Sequence, residues 1–141
     1  MRILRRIARS AACRCLRGKV RTLTRLNDIR FIFCHAGGTV PLMATRMTQY
    51  GPKDLSQKLP HGVDYELKRR YYDIAVSGYR PAIAALTGLI PANQILFGSD
   101  FPYGAPGETA DTMPQLGLSE ADLNAIGRDN ALALLPRLRA G

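Results

Sequence analysis

The chain has 141 residues, 46% of them hydrophobic and 22% charged, which suits one globular domain with a core of its own. No apolar run reaches the length of a membrane-spanning helix, so no membrane partner is expected. The net charge of +9 would ordinarily point to nucleic acid, but its placement argues otherwise.

Residues 1–25 hold nine Lys/Arg and no acid, while residues 26–141 hold the other eleven basic residues and all eleven acids. The excess is therefore a basic arm, residues 1–26, ahead of a neutral domain, residues 27–141. Three readings of the arm compete: binding to an anionic surface or nucleic acid, organelle targeting through its Arg-rich, acid-free pattern, or a displaced start fused ahead of the domain. No aromatic residue interleaves with the arginines to stack on bases, which argues against a nucleic-acid partner. The cysteines, Cys13, Cys15 and Cys34, are odd in number and lack a zinc-ligand spacing, so nothing implies an oxidising compartment. The expected location is cytoplasmic, with targeting by the arm as the alternative.

Asn27-Asp28 signals a turn, after which Ile29–His35 reads as a continuous buried strand, with Cys34 packed in the core. Gly37-Gly38 breaks it, and Pro41 opens a helix running to about Tyr50. Lys53–Gly62 reads as a polar loop. Asp64–Arg70 suggests a helical turn, and Tyr71–Val76 a second strand ended by Ser77-Gly78. Pro81 opens a helix through Leu89, with Ile83, Leu86, Leu89 and Ile90 as its apolar stripe. Pro91–Asn93 turns the chain into a third strand, Ile95 to about Ser99, which ends at Asp100. Tyr103–Leu118 reads as a long loop with at most one helical turn. Ser119 and Asp122 form a capping box for a helix to about Ile126, and Asn130–Leu135 makes a last short helix stopped by Pro136.

Strands alternating with helices in this order imply parallel βαβ units with right-handed crossovers. All strand C-termini then meet at one edge, which brings together His35, the Tyr71–Ser77 segment and Asp100. A strand that delivers a titratable side chain at its C-terminal end is the way α/β barrels build active sites. On the residues alone His35 could equally be a hydrogen-bonded strand-end histidine, and Asp100 a cap on the following turn. Asp73 could point inward or bond a neighbouring loop. His61, Arg46 and Arg80 read as solvated surface, and Tyr71-Tyr72 as packing.

Four segments, HAGG at His35–Gly38, ELKRRYYD at Glu66–Asp73, ILFGSDFP at Ile95–Pro102 and RDNALALLP at Arg128–Pro136, resemble the amidohydrolase-related family of metal-dependent barrel enzymes. The similarity is greatest to its aminocarboxymuconate-semialdehyde decarboxylase-like branch. The resemblance implies part of a (β/α)8 TIM barrel, its last three βα units, with strands near 29–35, 71–76 and 95–99. It implies a decarboxylase or hydrolase acting on a small carboxylic acid with a divalent metal, zinc or manganese. It casts Asp100 as a metal ligand and catalytic group, His35 as the general acid/base, and Gly37 and Gly38 as the backbone that meets the substrate. Ser77 stands where some relatives place a histidine.

The His-x-His metal pair and the fifth-strand histidine of such enzymes have no counterpart here, since the chain has only two histidines. This implies a metal cage that the chain does not complete alone, and an isolated chain without activity. It also favours the displaced-start reading of the arm. A non-catalytic remnant or a basic-armed binding protein are the alternatives. Strand edges left open imply association of chains through them and low solubility.

Overall fold

The computed structural model describes residues 26, 28–50 and 59–140. The basic arm, apart from Leu26, and most of the loop expected after Tyr50 lie outside the described residues.

Three short strands form one parallel sheet: β1 (Ile32–Phe33), β2 (Tyr71–Asp73) and β3 (Ile95–Leu96), in the order β1-β2-β3. Ile32 and Phe33 lie opposite Tyr71 and Tyr72, and Tyr72 and Asp73 lie opposite Ile95 and Leu96. The expected βαβ order is thus present. The strands are shorter than the sequence suggests, for identifiable reasons. β1 pairs only with β2, and Ile29 and Ile32 are exposed, so the run from Ile29 is not buried throughout. Cys34 is likewise exposed, not packed in the core. β2 stops at Asp73 because the Asp73 side chain bonds the backbone of Ala75 and turns the chain, leaving Val76 exposed at φ 52°.

The chain divides into two units, residues 1–30 with 42–69, and residues 31–41 with 70–141. In the first, α1 (Val40–Tyr50) provides its residues from Leu42 onward, and α2 (Gly62–Lys68) carries buried Val63 and Leu67. Asp64 and Lys68 pair one helical turn apart at 2.9 Å, a favourable i,i+4 spacing. His61 is exposed, with its ring 4.6 Å from that of Tyr65.

The second unit holds the sheet. Its core is Tyr72, Ile74, Ile95 and Leu96 from β2, β3 and the residue after β2, with Ile83 and Leu86 from α3 (Arg80–Thr87) and Leu89 and Ile90 after it. The apolar stripe expected of α3 is therefore the buried one. Burial pushes the Tyr72 phenol up from its ordinary value, the Arg70 guanidinium pulling the other way, so this ring sits neutral in the core. The segment expected to be a loop contains α4 (Pro106–Thr112), started by a proline in its first turn.

Ser119 Oγ accepts the Asp122 amide, the expected cap, and opens α5 (Glu120–Asn124). The helix does not end near Ile126. It runs through one wider π turn (Ala125–Asp129) directly into α6 (Asn130–Leu134). The Ile126 carbonyl within the wider turn accepts the amide of Phe97, just beyond β3. Asn130, buried at the join, donates from Nδ2 to the carbonyls of Ala92 (2.9 Å) and Ile95 (2.7 Å). Together these bonds hold the end of β3 to the last helix.

Asn130→Ala removes the buried bond to the Ile95 carbonyl and one of two on the Ala92 carbonyl, which keeps the Ile95 amide. The expected cost is about 2–3 kcal/mol, read as a lower denaturant midpoint at unchanged m-value.

Candidate active site

The three strand ends meet in the second unit. His35 follows β1 directly after Cys34, in a left-handed turn with φ of 56° at His35, 52° at Ala36 and 74° at Gly37. The turn closes through the Gly37 amide on the Cys34 carbonyl and the Gly38 amide on the His35 carbonyl. Left-handed backbone is uncommon for residues with a Cβ, and such conformations cluster where a side chain must be aimed.

The aim of His35 is set by three contacts, from the end of β2 and the segments that follow β2 and β3. Its backbone amide donates to Asp73 Oδ1 at 3.0 Å. Its ring Nδ1 lies 2.9 Å from the Ala75 carbonyl oxygen. A carbonyl only accepts, so the hydrogen-bonded ring carries its proton on Nδ1. Nε2 then holds the lone pair in the neutral ring, and it faces Asp100 Oδ1 at 3.8 Å. That separation is too long for a hydrogen bond and within ion-pair distance of a protonated imidazole. Both side chains are about two-fifths exposed (40% and 36%), so water and a small solute reach them.

β3 stops at Leu96, short of the expected Ser99, and Asp100 lies beyond it with φ 64°, a region Asp tolerates better than most residues. Its carbonyl accepts the amides of Tyr103 and Gly104, which closes the turn. Gly104 is required there, because a Cβ would stand 2.3 Å from the Ser99 carbonyl oxygen.

The expected glycine pair splits in two. A Cβ on Gly37 would meet the Tyr72 ring at 2.8 Å, so Gly37 lets the turn lie on the buried aromatic. Gly38 has nothing within 4 Å of its Cβ position, so only its surroundings are open. Ser77 closes the β2 turn, its amide on the Ile74 carbonyl. Arg46 and Arg80 are exposed, as expected for surface residues.

Of the two options open for Asp73, the bond to a neighbouring loop is the one realised, whereas nothing in the sequence singles out Ala75. Asp73 Oδ1 accepts two amides, from His35 and Ala75, both at 3.0 Å. The one available signal was an acid at the end of an apolar strand. Gly98 belongs with it: a Cβ there would lie 3.0 Å from Asp73 Cβ and Cγ, so this glycine gives the carboxylate its seat.

A divalent ion needs three or four protein donors to be held against water. His35 Nε2 and Asp100 make two, and among the described residues no three His, Cys, Asp or Glu side chains converge. These residues alone do not fit a closed metal site.

A family model described as Amidohydrolase matches residues 19–137. The match begins inside the basic arm. A decarboxylase, yanB, of Aspergillus niger is 34% identical over 128 residues, covering 84% of this chain and 34% of that protein. The 6-methylsalicylic acid decarboxylase acuB of Aspergillus aculeatus is 33% identical over 121 residues, covering 78% of this chain and 36% of its own. The chain therefore spans about a third of the length of these curated relatives. Among solved structures, a dihydroxybenzoic acid decarboxylase from Polaromonas with bound manganese and 2-nitroresorcinol superposes with a TM-score of 0.66 at 21% identity, over 79% of this chain and 35% of that one. At that identity the likeness is one of fold: the chain has the architecture of part of a (β/α)8 barrel. Among the described residues no helix is long and apolar enough to cross a membrane.

Gly37→Ala combines a left-handed backbone with a collision against Tyr72. It is expected to cost about 2–4 kcal/mol, seen as a lower melting temperature, whereas Gly38→Ala meets only the backbone penalty of about 1–2 kcal/mol.

Proposed function

For a chain that belongs to the amidohydrolase family, we propose that it supplies the acid/base side of a decarboxylase site for small carboxylic acids of the hydroxybenzoic kind. The observation that carries this reading is the aim of His35, with Nδ1 tied to the Ala75 carbonyl and Nε2 turned toward Asp100. The curated relatives named as decarboxylases supply the reaction class.

Loss of carbon dioxide from an aryl carboxylate breaks the bond between ring and carboxyl carbon and leaves the electron pair on the ring. A proton must replace the lost carboxyl group. Protonated on Nε2, His35 can give that proton. Nδ1 keeps its own proton on Ala75 throughout, so the ring delivers from one defined atom. Asp100 stabilises the imidazolium before transfer. A divalent metal, manganese in the Polaromonas relative, would supply charge stabilisation for the substrate oxygens. Asp100 is the proposed donor to it from this chain, and Gly38, with open space beside its backbone, is the proposed neighbour of the substrate.

Because two donors do not hold such an ion, the 141-residue chain is proposed to be inactive by itself. Activity is expected when the missing donors come from another polypeptide. The test mixes the chain with a polypeptide carrying the first five βα units of the 6-methylsalicylic acid decarboxylase, with manganese present, and tracks carbon dioxide release from 6-methylsalicylic acid. The mixture is expected to turn over and the chain alone is not. His35→Asn should lower the rate by about 10²–10⁴-fold while the two polypeptides still co-elute. Release by the chain alone, or release indifferent to His35, would contradict the reading.

A further inference from the structure

One carboxylate oxygen serves two amides from different strand ends. Asp73 Oδ1 accepts from His35 N–H, after β1, and from Ala75 N–H, two residues further along its own segment. The Ala75 carbonyl in turn is the group on His35 Nδ1. The side chain, the turn and the ring form a closed circuit: Asp73 to the His35 backbone, His35 ring to Ala75, Ala75 backbone to Asp73. The turn that presents the Ala75 carbonyl puts Val76 at φ 52°, and for a β-branched residue that conformation is a real outlier. Val76 is exposed, so packing of its side chain does not account for it. Gly98 keeps the place of the carboxylate clear.

We propose that Asp73 is a positioning residue that sets the tautomer of His35. By fastening the His35 and Ala75 amides to one oxygen, it aims the Ala75 carbonyl at Nδ1 and leaves Nε2 as the basic nitrogen on the Asp100 side. This gives a purpose to the proton-donor reading of His35 and rests on it in that respect. The tautomer is measured without turnover, so the two ideas fail separately.

The experiment uses the full 141-residue chain, ¹⁵N-labelled at histidine, at about pH 8.5, where a free imidazole is neutral. Two-bond ¹H–¹⁵N correlation spectra distinguish a protonated ring nitrogen from one with a lone pair, and His61 provides an exposed internal reference. Wild type is expected to show His35 as the Nδ1–H form in at least tenfold excess. Asp73→Asn keeps a side-chain oxygen that accepts both amides, and is expected to retain that form. Asp73→Ala is expected to release His35 to the tautomer mixture shown by His61. A side chain that merely supported the fold would shift amide signals without moving the tautomer ratio. If Asp73→Ala does not fold, Asp73→Ser replaces it, since its short hydroxyl does not span both amides, and the expectation is the same. An Nε2–H form in wild type would overturn the proposal. So would a folded Asp73→Ala or Asp73→Ser chain that keeps the Nδ1–H form.

Discussion

The candidate site depends on two amides that share one oxygen. Asp73 Oδ1 holds the His35 and Ala75 N–H groups at 3.0 Å each. A carboxyl oxygen has two lone pairs, so a single one can join the turns after two neighbouring strands. The parallel register makes this possible, because pairing Phe33 with Tyr72 puts the residues just beyond β1 alongside Asp73. The join fixes the direction of the His35 ring, and that direction decides which of its nitrogens is basic.

The surroundings accept unfavourable backbone to keep that arrangement. His35, Ala36, Val76 and Asp100 all have left-handed φ values and all lie in the segments that follow the strands. Single residues of this kind cost on the order of 1–3 kcal/mol each and persist only where neighbours over-determine them. The neighbours are identifiable. The buried Tyr72 ring lies under the His35 turn, Gly104 admits the Ser99 carbonyl, and the Phe97 and Asn130 bonds hold the third strand end to the last helix. The stability of the sheet core and the geometry of its exposed edge are thus different parts of one structure.

Much of this was legible in the residues. His35 and Asp100 each close an apolar run, and the alternation of strands and helices brings their ends together whatever the fine geometry. The buried stripe of α3 and the Ser119 cap obey local rules that tertiary structure did not overturn. The rest depended on contacts between distant segments. Asp73 sits in a strand-like run, and its role exists only because the His35 amide, 38 residues earlier, comes within reach. The wider turn at Ala125–Asp129 likewise meets a distant segment, its Ile126 carbonyl accepting the Phe97 amide. Ile32 and Cys34 read as core because an edge strand and a central strand have the same composition. Which strand lies at the edge is a property of the sheet.

His35 Nε2 and Asp100 form a pair of donors at one mouth, short of a complete metal cage among the described residues, in a chain whose match covers about a third of its curated relatives. The direct test of this account is paramagnetic line broadening by manganese added to the ¹⁵N-labelled chain. The account predicts weak binding, unsaturated by excess metal, with broadening that grows together at residues 35–38, 73–77 and 98–104. Tight one-to-one binding, or broadening in which His35 and Asp100 do not respond as one site, would contradict it.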